Sequence, residues 1–399
     1  MKQRLLYYII ILSVLVGFNA WFFIANTINW PLIIAPVLLL VAYANKAMFQ
    51  SSTQKVTFFI ISYILLALGA SLTSVGGLIW NLLLNLPLFV IIFLRDKYRI
   101  EVLRIFDRIM LFITAVSMGG WLLYLAKVPL PHSTLIYYIN GEAAYQFENY
   151  YLFLGPNSLL STLSLFERFS SIFYEPGYYA IILVFLILYH KFDFKKREVW
   201  IYTSALVLTF SLAGYILFFL MWIGLSLSNS SKGIPYLLLI IALLYGGQEF
   251  FKHYNGGDNA INELIIARMV IEDGDWSGYN RTGESFDDDF DRFVANGGTT
   301  LLFGVPQKDL ETNNVGWKVY VYQRGLLCFM AFISCILLLY YPCKRQYKCA
   351  LPAILYFLAF ARGHHVMWFP GFWLLWVGVM NVFYQLEEVT PKALKFKRS

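Results

Sequence analysis

The sequence predicts an all-α, polytopic integral membrane protein of about twelve transmembrane helices, with both termini cytoplasmic and two long periplasmic (outer) loops. Three observations carry this. Of 399 residues, 59% are hydrophobic and 14% charged, whereas soluble domains are roughly 25% charged. Apolar runs of about 20 residues, the length that crosses a bilayer as a helix, recur along the chain. The basic residues, finally, gather in short clusters between those runs. The composition excludes a soluble enzyme, a disordered chain and a nucleic-acid-binding domain. The net charge of +7 is therefore read as membrane orientation.

Taken in order, an N-terminal membrane region over 1–128 holds helices at about 5–25, 30–48, 56–73, 76–94 and 109–128. The run from Leu5 to Ala25 is too long for the apolar core of a cleavable leader and lacks a small-residue cleavage site, so it is expected to span. A first outer loop covers 129–175. Central membrane helices follow within 176–247, at about 176–190, 199–212, 214–228 and 234–247. A large outer loop occupies 248–316. The C-terminal region, 317–399, supplies helices at about 317–341, 350–367 and 369–386 and a basic tail.

Charge sets the orientation, because lysine and arginine concentrate in cytoplasmic loops. Lys2 and Arg4 put the N-terminus inside; Lys392, Lys395, Lys397 and Arg398 do the same for the C-terminus. Arg95, Lys97, Arg99, Arg104 and Arg108 fill one inner loop, Lys191, Lys195, Lys196 and Arg197 a second, and Lys344, Arg345 and Lys348 a third. The chain must then cross an odd number of times between 198 and about 250. Three crossings accommodate that apolar length, with Ser211-Leu212-Ala213-Gly214 as an external turn. The large outer loop holds thirteen acids against five bases, so an arginine there calls for a reason.

Three stretches could carry chemistry. In Arg168-Phe-Ser-Ser-Ile-Phe-Tyr-Glu175-Pro-Gly, Pro176 suits the first position of a helix and makes Glu175 its N-cap. Glu175 can simply cap, with Arg168 pairing to Glu167 or Glu175. Alternatively it is a carboxylate fixed at a cavity rim, available as a general base. In the large outer loop, Arg281 lies between Gly278 and Gly283, where its planar fork can approach a phosphate; the plain alternative is a surface ion pair. Asp287-Asp288-Asp289 reads as a solvated acidic turn in preference to a metal site. Arg362-Gly363-His364-His365 lies near the outer end of the eleventh span, where ionisable residues are functional candidates. Arg362 and His365 share a face at helical spacing. Tyr178, Trp276 and Tyr279 are aromatic candidates for stacking on sugar rings. Cys328, Cys335, Cys343 and Cys349 contain no C-x-x-C pair and read as small apolar side chains.

The string from Arg168 to Gly177 resembles the R-x-S-S-I-F-x-E-P-G signature of bacterial polysaccharide polymerases of the Wzy type, within the O-antigen ligase/polymerase superfamily. Ser211-Leu-Ala-Gly214 is similar to that family's S-x-x-G turn. Arg281 followed by Leu302-Phe-Gly304 resembles its arginine and L-F-G-x-G, with Val305-Pro306 in place of the second glycine. Asn313 or Asn314, then Arg324-Gly325-Leu326-Leu327, resembles its closing pattern. The resemblance covers 168–330; the five N-terminal spans match in hydropathy alone.

The resemblance implies a membrane glycosyltransferase of the GT-C type in the bacterial inner membrane, with its active site facing the periplasm. Its substrate would be oligosaccharide repeat units on undecaprenyl diphosphate, embedded among membrane lipids. A chain-length regulator is a partner the resemblance leaves open, and nucleic acid is not expected. The growing glycan would pass from its lipid diphosphate to a hydroxyl of a new lipid-linked unit, with neither metal nor cofactor. Glu175 is the first candidate for the base, His365 and His364 the next. Arg281, Arg168 and Arg362 are the candidates for the diphosphate, and Tyr178, Tyr279 and Trp276 for the sugars. The alternatives are an O-antigen ligase acting on lipid A-core and, from another class, a lipid-linked sugar transporter or flippase.

Overall fold

A computed structural model of the chain describes residues 2–24, 28–50, 52–71, 85–139, 142–157, 168–229, 249–250, 252–257, 271–272, 275–276, 284–305, 316–343, 347–363, 366–367 and 369–396. The described chain is mostly helical. Its helices are α1 (Lys2–Gly17), α2 (Trp21–Ile24), α3 (Trp30–Ala44), α4 (Thr53–Ser71), α5 (85–93), α6 (Asp96–Leu125), α7 (Pro176–Tyr189), α8 (Arg197–Leu208), α9 (Leu212–Asn229), α10 (Glu284–Asn296), α11 (Gly298–Phe303), α12 (Trp317–Tyr340), α13 (Ala350–Arg362) and α14 (Pro370–Phe396). Among the described residues, α6 and α12 are long and apolar enough to cross a membrane, and Gln3–Gly17, Trp30–Ala44, Pro176–Tyr189 and Leu212–Ser228 are shorter apolar helices. The helix expected at 234–247 lies outside the described residues.

The chain divides into two compact units, residues 1–17, 29–104 and 280–399 in the first, and 18–28 and 105–279 in the second. This division cuts across the sequential regions expected from hydropathy.

In the first unit, α1 packs on α3 and α14, α4 on α12, and α13 on α14. Close approach is built in: a Cβ on Gly17 would stand 2.7 Å from Cδ of Pro370. The expected inner loop 95–108 is instead helical, because α6 begins at Asp96. Arg99, buried, explains that start. Its Nε donates to the Ile91 carbonyl at 2.9 Å and its Nη2 to those of Ile92 (2.7 Å) and Leu94 (2.6 Å), while Nη1 reaches Asp96 (3.0 Å) and Asn381. The guanidinium thus satisfies carbonyls left without intrahelical partners at the end of α5.

Asp287-Asp288-Asp289, expected as a turn, lies within α10. Phe286, Phe290 and Phe293 recur at helical spacing and bury against Val319 and Val321 of α12. Asp287 stands beside this contact and accepts from Lys318 Nζ of α12 at 2.6 Å, while Asp288, Asp289 and Asp291 are exposed, Asp289 accepting from Arg292 at 2.8 Å.

In the second unit, the expected loop 129–175 departs from an all-α fold. It contains strands β1 (Ser133–Ile139), β2 (Glu142–Asn149) and β3 (Leu154–Asn157) in an antiparallel sheet of order β1-β2-β3. Leu135, Phe147 and Leu154 form its apolar face, with Trp21 and Tyr174 packed against them. A second ribbon pairs β4 (Ile271–Glu272) with β5 (Asp275–Trp276). Helices α7, α8 and α9 pack together, with residues 179–188 of α7 buried throughout.

The expected first span, 5–25, is not one helix. It stops at Gly17; Asn19 turns with φ 53°, Ala20 bridges Phe173, and Trp21 N–H donates to the Ile172 carbonyl at 2.9 Å. The backbone leaves the helix to pair with the segment that precedes α7.

Candidate functional site

The segment 168–177 is held by backbone contacts on three sides within the second unit. Phe169 N–H donates to the Leu208 carbonyl (3.0 Å) and Arg168 Nε to that of Thr209 (3.0 Å), where α8 gives way to α9. Leu154 N–H of β3 donates to the Ser171 carbonyl at 2.8 Å, and Ala20–Trp21 pair on the third side. The segment from Arg168 onwards therefore meets the end of α8 just before Ser211–Gly214.

The expected break at Ser211–Gly214 is present, between Leu208 and Leu212. Ser211 Oγ accepts from Gly214 N–H at 3.3 Å, a serine cap on α9. A Cβ on Gly214 would stand 2.7 Å from that of Ala180, so the glycine lets α9 approach α7 closely.

Most of the signature turns inward. Phe169, Ser170, Ser171, Ile172 and Phe173 are buried. Phe169 packs edge-on to Tyr179 with ring centroids 5.8 Å apart, and Phe173 lies 5.4 Å from the same ring. Ser171 adopts φ 55°, a left-handed conformation that costs a serine about 1–3 kcal/mol. Its Oγ donates to Ser117 Oγ at 2.9 Å, and Ser117 Oγ in turn donates to the Leu152 carbonyl at 2.6 Å. One turn earlier on α6, Thr114 shares a 2.8 Å hydrogen bond with the Tyr179 hydroxyl. Thr114 and Ser117 were not singled out from the sequence, although a polar pair three apart in an apolar run marks one helix face.

Arg168, Tyr174, Glu175 and Tyr178 are only half-buried. Glu175 occupies the N-cap of α7 with extended backbone (φ −124°, ψ 119°) and Pro176 follows at the first helical position, as expected. Its carboxylate makes no capping hydrogen bond. Capping accordingly does not engage the side chain, which sits where the positive end of the helix favours an anion. Tyr178 lies 6.2 Å from the Tyr174 ring, one turn into α7 beside Glu175. Glu175, Arg168 and Tyr178 are thus close in the chain and in one unit.

Of the remaining candidates, Trp276 lies elsewhere in the second unit, Arg362 belongs to the first, and the others fall outside the described residues. Arg281, Tyr279, His364 and His365 lie outside the described residues. Trp276 ends β5, its backbone paired with Ile271. Arg362 is the last residue of α13; Gly363 is extended (φ −152°, ψ 105°). The helix expected to reach 367 therefore stops at 362. Gly316, with φ 119°, brings the start of α12 to within 3.4 Å (as a built Cβ) of the Ala361 carbonyl.

The first unit also joins two motifs that are distant in sequence. α12 breaks at Gly325 (φ 79°) and the Gly304 backbone (φ 85°) packs against the break. Val305 N–H donates to the Tyr322 carbonyl at 2.8 Å. Leu302-Phe-Gly304 and Arg324-Gly325 thereby form one backbone junction, with Arg324, a base not nominated from the sequence, at the break.

Against protein-family models, curated proteins and solved structures the chain finds no match, so the family reading rests on the motif residues themselves.

Proposed function

We propose that this chain is a polysaccharide polymerase of the bacterial inner membrane, with about twelve spans and both ends inside. It transfers a growing glycan from undecaprenyl diphosphate to a new lipid-linked repeat unit at the outer face. In the step itself, an acceptor hydroxyl attacks the anomeric carbon, the bond from that carbon to the diphosphate oxygen breaks, and the hydroxyl proton passes to Glu175. The lipid diphosphate leaves with the bonding electrons. Charge growing on it is stabilised by arginine, for which the motif resemblance offers Arg281, then Arg168 and Arg362, as candidates.

The observation that supports this reading is Glu175. Its backbone is fixed by Pro176 and by a buried, three-sided framework, yet its carboxylate is not used as a cap. Fixed geometry with a carboxylate not spent on capping is what general-base work requires.

The test is in vitro polymerisation by the purified protein with lipid-linked repeat units, with chelator present. Ladder formation is expected. Transfer only to lipid A-core would select the ligase, and transbilayer movement without bond formation the transporter. Topology is checked separately: a cysteine at Gly283 should react with an impermeant thiol reagent in intact spheroplasts, and labelling only after lysis would invert the orientation.

A further inference from the structure

We propose that the turn between α7 and α8 is a binding surface for the headgroups of anionic phospholipids. The proposal uses none of the residues assigned to glycan transfer and needs only that the chain be a membrane protein.

The turn is a built structure. Lys191 and Phe192 both adopt left-handed backbone, φ 59° and 54°. Lys191 N–H donates to the Leu188 carbonyl (2.8 Å) and Phe192 N–H to that of Ile187 (3.1 Å), tying off the end of α7. Phe192 is buried, its ring 5.1 Å from that of Phe218. The Asp193 carboxylate accepts from the Lys195 backbone N–H (3.2 Å) and its main-chain carbonyl from that of Lys196 (2.9 Å).

Beneath the turn lies a polar knot. Asp107 of α6, buried, meets His190 Nε2 at 3.0 and 3.1 Å through its two oxygens, and the Tyr202 hydroxyl of α8 donates to it at 2.9 Å. The same hydroxyl lies 2.8 Å from the Asp107 carbonyl. Three elements are thus locked around the turn, and Arg108, exposed, follows the knot on α6.

What the turn presents outward is cationic and aromatic. Lys191, Lys195, Lys196 and Arg197 are exposed, Arg197 at 84%. The carboxylates facing them are Asp193, which accepts from the Lys195 backbone N–H, and Glu198, half-buried and 3.9 Å from Arg197. Beside the bases, Trp200 is 58% exposed and stands edge-on to the exposed Phe194, centroids 5.6 Å apart. The indole Nε1 donates to the Phe194 carbonyl at 2.8 Å. Its one polar atom is satisfied internally, so the faces turned outward are apolar. Aromatic rings at the ends of apolar helices settle at headgroup depth, and lysines there attract anionic lipid. A soluble acidic partner would account for the bases alone; the ring pair beside them selects a lipid surface.

The experiment uses the full chain in an uncharged detergent, titrated with dioctanoyl phosphatidylglycerol and followed by its thermal unfolding midpoint. A saturable rise is expected, absent with dioctanoyl phosphatidylcholine and with inorganic phosphate. The Lys195→Gln/Lys196→Gln variant keeps Lys191 and Arg197 for orientation. It should need at least about tenfold more lipid for the same rise, since each base near a charged surface contributes roughly fivefold. Raising the salt to about 0.5 M, where the screening length falls to a few ångströms, should weaken the wild type similarly. This arm keeps the proposal testable if the variant fails to fold. Equal effects of the two lipids, unchanged affinity in the variant or indifference to salt would overturn it. An equal rise with inorganic phosphate would replace it with a soluble-phosphate site.

Discussion

Gly325 and Leu302 touch backbone to backbone: a Cβ on Gly325 would stand 2.2 Å from the Leu302 carbonyl oxygen. With φ 79°, Gly325 also adopts a conformation that other residues reach only under strain. Gly325→Ala should therefore destabilise the folded protein by on the order of 3 kcal/mol or more, from backbone strain and overpacking together. The thermal midpoint of the purified variant in detergent measures this. A midpoint equal to the wild type would show that α12 and α11 do not meet in this way.

Glu175 separates capping from chemistry. Because its carboxylate makes no cap hydrogen bond, Glu175→Gln should change stability by well under the roughly 1 kcal/mol of a lost cap. Turnover should fall by about 100-fold or more if the carboxylate is the base. Both quantities come from one preparation, as unfolding midpoint and polymer formed. Normal ladders from Glu175→Gln would remove it from the mechanism.

Arg281 is tested through charge and shape together. As a ligand of the leaving diphosphate, its replacement by alanine should cost on the order of 100-fold or more in turnover. A surface ion pair would be worth only about 0–1 kcal/mol. Arg281→Lys should leave intermediate activity, keeping charge while losing the bidentate fork. Full activity of Arg281→Ala in chelator would end the assignment.

Tyr202 reports on the knot below the α7–α8 turn. Tyr202→Phe removes the hydroxyl that donates to Asp107 and should cost about 1–3 kcal/mol, because a buried carboxylate loses a partner. Polymer formation at low temperature should be unaffected. Loss of activity without loss of stability would instead tie the knot to the reaction.

Glu175 shows how far local reading goes. Pro176 fixes the start of α7, and the break before α9 follows from Ser211 and Gly214; both depend on a few neighbouring residues, and both are found. The first span fails for the opposite reason. Nothing in an apolar run from Leu5 to Ala25 announces that Ala20 will bridge Phe173, a pairing across about 150 residues. Likewise Arg99 counts as one base in an inner loop until α5 and Asn381 surround it. Thr114 and Ser117 look unremarkable among apolar neighbours until the signature segment folds onto them.

The sequence alone determined the helical class, the start of α7 at Pro176 and the break before α9. Those properties follow from composition, periodicity and the backbone limits of proline and glycine, all of which act over a few residues. Only the tertiary structure decided that the signature's serines and phenylalanines are framework while Glu175 and Arg168 remain partly exposed. It also decided that the loop before α7 forms a sheet, that α10 hides three phenylalanines under an acidic face, and that Gly304 and Gly325 meet. Each of these depends on which distant backbone approaches, and that is set by packing of the whole chain, which no local pattern encodes.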